Sequence, residues 1–412
     1  MRACYTLAIR AYAFAVRIAA LFGNAKARLW VKGRKGMPET TTDDTPWIWF
    51  HAASLGEFEQ GRPLIEAIKK THPEVKISLT FFSPSGYEIR KDYPMADEVL
   101  YLPIDTLGNA RYWVQRHRFI ATFFIKYEFW FNYMQALREQ RIPLYYISLI
   151  LKPSQYFFKW YGGWFRKQLG NVSHFFVQDD TTAELLKGIG LDNVTRCGDT
   201  RFDRVVAIAK QAKPFPEIEA FIQGRNCIIA GSSWPPDEHL LIPYLQRLPE
   251  NYCMIIAPHD ISQKHIEQIT EQLNNSQLNN SQLYTDLHPE NRSQVLVLNT
   301  IGMLSQLYQY ARFVYIGGGF GVNIHNIQEP VTFGCPVVFG PKYKSFKEAV
   351  DLVELGGAFH IDSRDDLNSI FDRLINDESF RQEASRICRE YVASQSGATD
   401  AIMHQITSIF SV

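Results

Sequence analysis

The stretch "PWIWFHAASLGEFEQGRPLIEAIKK", residues 46–70, shows how this chain begins to fold. Its apolar start, residues 47–53, is typical of a buried strand, and residues 58–71 have the spacing of an amphipathic helix. A strand that runs through a short turn into a helix is the unit from which parallel sheets are built. The turn lacks the G-x-x-x-x-G-K-[ST] and G-x-G-x-x-G patterns of phosphate-binding loops, and it carries Glu57 instead, with Glu59 close by.

The same alternation continues along the chain. Short apolar runs are separated by amphipathic segments, and a break containing Pro214 and Pro216 divides them into two series. The predicted strands are 47–53, 76–83, 119–125, 144–150 and 174–178, followed by 227–232, 252–259, 295–299, 313–318 and 336–340. This pattern predicts the α/β class, with two Rossmann-like, doubly wound domains facing across a cleft.

The chain has 412 residues, which is too long for one ordinary core, so the break sets the expected domain boundaries. The expected segments are a basic apolar helix (1–36), a first Rossmann-like domain (37–206), a linker (207–226), a second Rossmann-like domain (227–395) and a C-terminal helix (396–412).

Bulk composition excludes several classes of protein. The formal net charge is zero, so the whole molecule lacks the basic signature of a nucleic-acid-binding protein. The six cysteines are scattered singly and form no C-x-x-C pair. We therefore expect small buried thiols in a reducing compartment, with no zinc site or redox pair.

Residues 1–36 contain eight lysines and arginines and no acidic residue. Arg10 and Arg17 interrupt the apolar run, which argues against a secretory signal and makes a spanning helix marginal. A membrane-association helix lying in the lipid interface fits the pattern, because its arginines can reach the headgroups and Trp30 can sit at the interface. The alternative is a helix packed on the domain core with a basic outer face.

The most informative loop of the second series is "YIGGGFGVNIHNIQEPVTFGCPVVFGP", residues 315–341. A strand delivers three consecutive glycines, which let backbone approach a ligand closely. The H-N-x-x-E segment that follows places a carboxylate where it can accept the two hydroxyls of a ribose. The alternative is a glycine-tight turn whose acid is an ordinary first-turn helix residue. The residues of this candidate nucleotide-sugar site are Gly317, Gly318, Gly319, His325, Asn326 and Glu329.

Two neighbouring loops favour the same chemistry. "AGSSWPPDEH" places Ser232 and Ser233 after a strand and before a proline-started helix, where hydroxyls and free backbone N–H groups can hold a phosphate. "IIAPHD" places His259 at the end of the next strand, from which it can donate a hydrogen bond. The alternatives are an N-cap serine and a structural histidine.

In the first series, "FFIKYEFWFN" ends a strand with Lys126 and Glu128. Lys126 is a candidate for binding an anion, and the alternative is a Lys–Glu surface pair. The opening turn has an alternative of its own. Ser54-x-x-Glu57 fits a capping box, in which Ser54 caps the Glu57 amide and Glu57 caps the Ser54 amide.

These blocks, in this order, resemble the Kdo transferases over nearly the whole chain. "WIWFHAASLGEFEQGRPLIEAIKK" is similar to the family's H-x-x-S-x-G-E block and "GDTRFD" to its G-N-x-K-F-D block. "GGGFGVNIHNIQEPVTFGCPVVFGP" is similar to its G-G-S-x(n)-G-H-N-x-x-E-P and G-x-P-V-x-x-G-P blocks. "KYEFWFN" stands where the family has an E-T-E-L-W-P-N-like block, so Lys126 replaces the first acid. The family's P-R-H is Pro258-His259 here, without the arginine, and its N-F is Ser345-Phe346.

The resemblance implies a GT-B glycosyltransferase that moves 3-deoxy-D-manno-octulosonic acid (Kdo) with inversion from CMP-Kdo onto the lipid A precursor, lipid IVA. The reaction would take place in lipopolysaccharide biosynthesis, at the cytoplasmic face of the cell inner membrane, with the N-terminus anchored or peripheral. The expected partners are CMP-Kdo, the lipid A precursor and the membrane surface, with no nucleic acid. No cofactor or metal is expected, because a CMP-sugar has one phosphate and the chain offers no D-x-D pair at a strand end.

The resemblance also implies roles for individual residues. Glu57 is the expected catalytic base, with Glu59 as the alternative. The expected acceptor-side residues are Ser54, Gly56, Lys126 and Glu128. The expected CMP-Kdo-binding residues are Ser232, Ser233, His259, Gly317, Gly318, Gly319, His325, Asn326 and Glu329. Two other functions stay open: a sugar-nucleotide epimerase of the same fold, and a membrane-surface nucleotide-binding protein without turnover.

Overall fold

The structure is a computed structural model that describes residues 1–40, 44–276 and 281–410. The chain divides into two compact units. The first consists of Met1–Asp203 together with Gln395–Val412, and the second of Arg204–Ser394.

The first unit contains a seven-stranded sheet in which every neighbouring pair of strands is parallel. Its spatial order is β3-β2-β1-β4-β5-β6-β7. The strands are β1 (Pro46–Ala52), β2 (Lys76–Phe81), β3 (Glu98–Tyr101), β4 (Arg118–Ile125), β5 (Leu144–Leu149), β6 (His174–Val177) and β7 (Val194–Arg196).

The second unit contains another seven-stranded parallel sheet, in the order β10-β11-β9-β8-β12-β13-β14. Its strands are β8 (Asn226–Ser233), β9 (Tyr252–Pro258), β10 (Ser281–Leu283), β11 (Val295–Val297), β12 (Ala311–Ile316), β13 (Val337–Phe339) and β14 (Ala358–His360). The two sheets confirm the predicted α/β class with two Rossmann-like units.

Helices connect the strands in both units. The helices are α1 (Arg2–Leu21), α2 (Ala25–Lys32), α3 (Leu55–Thr71), α4 (Pro84–Arg90), α5 (Leu107–Val114), α6 (Phe131–Glu139), α7 (Gly163–Leu169), α8 (Asp180–Lys187), α9 (Thr200–Lys210), α10 (Pro216–Ile222), α11 (Pro235–Leu245), α12 (Gln263–Asn275), α13 (Leu304–Leu307), α14 (Gln328–Thr332), α15 (Lys347–Leu355), α16 (Arg364–Asn376), α17 (Glu378–Gln395) and α18 (Ala398–Gln405).

The central strand β1 shows why its sequence is apolar throughout. Successive side chains of a strand point to opposite faces of the sheet, and here both faces are covered. Trp49 packs into one core with Trp113, whereas Phe50 packs into a second core with Phe123. A strand buried on both faces reads as a continuous apolar run, which is what the opening stretch shows.

All ten predicted strands are present, with ends that differ by at most two residues. Four observed strands are missing from the prediction, namely β3, β7, β10 and β14, and all four lie at sheet edges. Each has only three or four residues and pairs on one side alone. A strand so short carries too little periodicity to be recognised in sequence.

The expected domain boundaries stay predictions. Residues 207–226, the expected linker, contain the end of α9 and all of α10, and they lie within the second unit. Residues 396–412, the expected C-terminal helix, contain α18 and a final 3₁₀ turn, Thr407–Phe410, and the last two residues lie outside the described part of the chain.

Helix α1 is long and apolar enough to cross a membrane, by length and composition only. One side of it packs on the first unit: the Tyr5 hydroxyl donates to Asp105 Oδ2 at 2.6 Å, and the Tyr5 ring meets Phe131 edge-on at 5.1 Å. The other side exposes Leu7, Phe14 and Leu21, which are spaced seven residues apart. The exposed face of α1 is therefore apolar as well as basic. A helix packed on the domain core, the alternative considered from the sequence, was expected to have a basic outer face.

The end of the chain is attached to the first unit through Asp203. This carboxylate accepts the backbone N–H of Gly397, the backbone N–H of Thr399 at 2.7 Å and the Thr399 hydroxyl at 2.6 Å. Gly397 is the N-cap residue of α18, so Asp203 satisfies donors that the helix itself leaves unpaired.

Asp203→Ala should destabilise the first unit by about 2 kcal/mol, because the two donors of the buried Thr399 lose a charged acceptor. Asp203→Asn, which keeps one acceptor oxygen, should lose less. The measurement is urea-induced unfolding, with the exposed Asp400→Ala on α18 as the matched control. A loss no larger than that of the control would contradict the capping role.

Candidate functional site

The candidate residues gather where the strand order of each sheet reverses. In the first sheet the chain winds outward in both directions from β1 and β4, and in the second from β8 and β12. Ligands of open parallel sheets bind beyond the carboxyl ends of strands at such reversal points. Glu57 follows β1 and Lys126 follows β4, while Ser232 is the last residue but one of β8 and Gly317 follows β12.

Glu57 lies in the first turn of α3, and its two carboxylate oxygens have different surroundings. Oε2 accepts the Ser54 backbone N–H at 2.9 Å and the Ser54 hydroxyl at 3.2 Å. Within the described chain, Oε1 accepts no hydrogen bond, and it is not among the buried unpaired atoms. One oxygen therefore caps the helix, and the other stays open to a ligand.

The charges around Glu57 favour its protonated form. Burial and the charge of Glu128 raise the pKa of the Glu57 carboxyl to about 7, against the lowering effects of the Ser54 hydrogen bonds and of Lys126. A carboxyl group with such a pKa exchanges a proton readily near neutral pH, which suits a general base.

Glu128 is held in a buried network that centres on His51. Its Oε2 accepts the Trp130 indole N–H at 2.6 Å and lies 3.0 Å from His51 Nε2. The other ring nitrogen of His51, Nδ1, lies 2.8 Å from the hydroxyl of Thr80, its neighbour across the β1–β2 ladder. These contacts fix the position of the Glu128 carboxylate, whose charge acts on Glu57.

Lys126 has a left-handed backbone, with φ of 63°. Ser148, inside β5, and Ser232, inside β8, share this uncommon conformation at 52°. Strained backbone of this kind persists where the surrounding structure enforces it, and it is common at ligand sites. The Lys126 ammonium lies 5.2 Å from the Tyr127 ring centre.

Glu59 and Gly56, two other residues of this turn and helix, have different surroundings. Glu59, the alternative base, is paired with Arg90 at 2.8 Å and approaches Arg62 at 3.7 Å, so its charge is already compensated. Gly56 is exposed, and a Cβ built there would meet nothing within 4 Å. Packing therefore does not require glycine at this position.

In the second unit, the Ser233 side chain is engaged in a buried hydrogen-bond network. Ser233 is completely buried, and its hydroxyl donates to Glu238 Oε1 at 2.9 Å. The other oxygen of Glu238 lies 2.9 Å from His265 Nε2. The Ser233 hydroxyl thus helps to hold the loop in place, and its role at a phosphate stays a prediction. Ser232 beside it is only half-buried.

The three glycines after β12 are explained by contacts within the second unit. A Cβ on Gly317 would overlap the backbone of Ser232, and a Cβ on Gly319 would lie 2.7 Å from Gly340. Gly318 has φ of 90°, and its N–H donates to Asp237 Oδ2 at 2.9 Å. The glycine-tight turn, which the sequence offered as an alternative for this loop, is therefore present. It brings the ends of β8 and β12 together.

Three aromatic rings cluster above this turn. His259 stacks on Trp234 at 4.6 Å and on His325 at 4.5 Å, and the Trp234 indole N–H donates to His325 Nε2 at 2.8 Å. Burial and the charge of His259 lower the pKa of His325, so its neutral form is favoured. Because Nε2 accepts from the indole, neutral His325 carries its proton on Nδ1, which is then the available donor.

Asn326 and Glu329 bond to each other in the segment that follows. The Asn326 amide donates to Glu329 Oε1 at 3.2 Å, and its carbonyl oxygen accepts the Gln328 N–H at 2.9 Å. Burial raises the pKa of Glu329, and the Asn326 hydrogen bond and the charge of Arg204 lower it. Helix α14 begins at Gln328.

Several residues of these sites escaped the sequence analysis. His51, Trp130 and Trp234 supply ring N–H groups or ring faces, and the acids Asp237 and Glu238 hold the second-unit loops. The sequence signal that could have identified them is their position, since each residue lies near or just after the end of a strand. In the described part of the chain, no group of three or more His, Cys, Asp or Glu side chains is arranged to hold a metal ion.

Two parallel units of Rossmann type define the GT-B class of glycosyltransferases and related enzymes. The solved structure of UDP-GlcNAc 2-epimerase from Neisseria meningitidis, bound to UDP-GlcNAc, matches 88% of this chain and 100% of its own chain. The TM-score is 0.61 and the sequence identity is 13%, so this similarity shows the fold alone. Residues 25–204 match the family model of 3-deoxy-D-manno-octulosonic-acid transferase.

Full-length relatives agree with the family model. The 3-deoxy-D-manno-octulosonic acid transferase of Rickettsia bellii is 24% identical over 85% of this chain and 85% of its own length. The enzyme of the same name from Aquifex aeolicus is 24% identical over 80% of this chain and 86% of its own. The first unit thus matches the family model of the Kdo transferases, and most of the chain resembles these enzymes.

The environment of Glu57 predicts how its titration responds to its neighbours. Lys126→Met should raise the pKa of Glu57 above 7, because a cation that stabilises the carboxylate is removed. Glu128→Gln should lower it, because a like charge is removed. Both shifts can be followed by ¹³C carboxyl NMR, with the resonance assigned from its absence in Glu57→Gln. A midpoint that neither substitution moves would contradict the described electrostatics.

Proposed function

We propose that this protein transfers Kdo with inversion from CMP-Kdo onto the lipid A precursor, lipid IVA, at the cytoplasmic face of the inner membrane. The match to the Kdo transferase family model and the similarity to Kdo transferases support the sugar and the reaction class. The observation that carries the mechanism is Glu57, a carboxyl group with one oxygen open and a pKa raised to about 7 at the reversal point of the first sheet.

In this proposal the first unit holds the acceptor. Glu57 Oε1 takes the proton from the attacking sugar hydroxyl as its oxygen bonds to the anomeric carbon of Kdo. The bond between that carbon and the CMP phosphate oxygen breaks, and CMP leaves with the bonding electrons. Lys126 lies beside Glu57 and favours its carboxylate form before the acceptor binds. Ser54 orients the carboxyl group through Oε2.

The second unit holds the donor in this proposal. Ser232, His259 and the Nδ1–H of His325 lie at the reversal point of the second sheet and supply donors for the single phosphate. The half-exposed Trp234 ring offers a flat face beside them. Glu329 accepts the ribose hydroxyls. Since a CMP-sugar has one phosphate, the proposal needs no metal bridging two phosphates.

Helix α1 supports the membrane location, because it exposes an apolar face with Arg10 and Arg17 on the same side. In this proposal, the lipid acceptor reaches the first unit from that surface.

Glu57→Gln should lower transfer from CMP-Kdo to lipid IVA by about 10²–10⁴-fold, the usual contribution of a general base. CMP binding, measured by calorimetry, should stay unchanged. In the parent protein kcat/KM should rise with pH and level off above about 7, because the base acts when deprotonated.

Glu59→Gln is the matched control on the same helix and should cost less than tenfold. If Glu59→Gln abolishes transfer and Glu57→Gln does not, the base is Glu59. Product analysis with UDP-sugars in place of CMP-Kdo separates transfer from epimerisation, and CMP binding without any product would identify a binding protein without turnover.

Glu329→Gln should weaken CMP binding about tenfold or more, because a carboxylate accepts hydroxyl hydrogen bonds more strongly than an amide. The exposed Glu354→Gln, in the same unit, should bind CMP like the parent protein. With 2′,3′-dideoxy-CMP, Glu329→Gln and the parent should bind alike. A variant that loses the same factor for both nucleotides would exclude ribose recognition by Glu329.

A further inference from the structure

The first unit contains a cavity of about 430 Å³ that the proposed reaction does not use. Its wall is formed by the C-terminal half of α1, the segment after α2 and the β3–α5 region. Three basic side chains line it, Arg17, Arg34 and Lys35, and no acidic residue of the described chain does. The volume lies within the range of about 300–1,000 Å³ that is usual for small-molecule sites.

Arg34 is the best fixed of these cations. Its guanidinium donates to the carbonyl oxygens of Leu102 and Phe82, both at 2.8 Å, and of Trp30 at 3.3 Å. It lies 4.0 Å from the Trp30 ring centre and 4.9 Å from that of Tyr101. These contacts hold the guanidinium rigidly at the wall of the cavity.

No carboxylate in the described part of the chain forms an ion pair with Arg34, Arg17 or Lys35. Burial lowers the pKa of Arg34 to about 9, which still leaves it charged at neutral pH. Buried charges in proteins are normally paired, because an uncompensated charge away from water is costly. The cavity therefore has an excess of positive charge that an anion would balance.

The surface beside the cavity is apolar. Residues three and four positions apart are neighbours on a helix, so Phe14 and Leu21 flank Arg17 on α1. Phe14 is 63% exposed and Leu21 is 83% exposed. Met37, which lines the cavity, is also exposed. A ligand that matches both features has an anionic head and apolar chains.

We propose that this cavity binds the phosphate group of a lipid, with the acyl chains along the exposed face of α1. Arg17 and Lys35 contact the phosphate from the mouth of the cavity, and Arg34 supplies the fixed charge behind them. The lipid is an anionic phospholipid of the bilayer, and a phosphorylated glycolipid is the alternative outcome of the test. The binding chemistry is the same for both, and it does not depend on Kdo transfer.

The test compares two double variants with the same change in charge. Arg17→Gln with Lys35→Gln removes two exposed cations of the cavity. Arg10→Gln with Lys32→Gln removes two exposed cations of α1 and α2 that do not line it. Binding is measured by flotation with phosphatidylcholine vesicles, with and without phosphatidylglycerol, at physiological ionic strength. Unchanged thermal midpoints without lipid show that both variants are folded.

The cavity variant should lose at least about tenfold more affinity for phosphatidylglycerol vesicles than the control variant, the equivalent of one charge-assisted hydrogen bond. Equal losses would mean that only general attraction between basic residues and the surface acts, and would overturn the proposal. Short-chain phosphatidylglycerol below its micelle concentration should raise the thermal midpoint of the parent and of the control variant, but not of the cavity variant. The same rise with inorganic phosphate alone would overturn the lipid assignment.

A further arm distinguishes the two sources of the phosphate. If the ligand is the glycolipid acceptor, the cavity variant raises the KM for that acceptor in detergent and leaves kcat and the KM for CMP-Kdo unchanged. If the ligand is bilayer phospholipid, vesicle binding falls and kinetics in detergent do not change. The vesicle experiments need no turnover, so they stand even if the proposed reaction fails.

Discussion

Both candidate sites depend on one constraint of parallel sheets, which is that all strands deliver their carboxyl ends to the same edge. The connections then turn to opposite faces where the strand order reverses, and a crevice opens there. In the first sheet this point lies between β1 and β4, and in the second between β8 and β12. Residues far apart in sequence, such as Glu57 and Glu128, come together for this reason alone, as do Ser232 and Gly317.

In the opening turn, the proposed catalytic role of Glu57 is compatible with its role in capping α3. In the sequence, a capping residue and a catalytic base are two alternative roles for Glu57. They are compatible in the folded protein because capping uses Oε2 and leaves Oε1 open. The capping contact also holds the carboxyl group in one orientation, next to the charge of Glu128, which is itself fixed by Trp130 and His51.

Prediction from sequence succeeded where burial imposes a long apolar run and failed where it does not. The strands inside each sheet were recognisable, whereas the edge strands β3, β7, β10 and β14 were not, since three or four residues with one paired side leave little pattern. In the site, Ser233 was expected at a phosphate, and its hydroxyl donates to Glu238. The ligand role of the three glycines stays a prediction, and the sequence does not show that Gly317 and Gly319 also pack against the backbone of neighbouring loops.

Residue order alone decides the α/β class, the two series of strands, the acid-free N-terminus and the blocks shared with the Kdo transferases, because these features are periodic or local. The folded chain decides which oxygen of Glu57 is open, which hydroxyl is already used and which cations share a cavity without a carboxylate. Those properties depend on distances between segments separated by tens of residues. Such distances arise only when the strands have aligned and the buried charges have found, or failed to find, their partners.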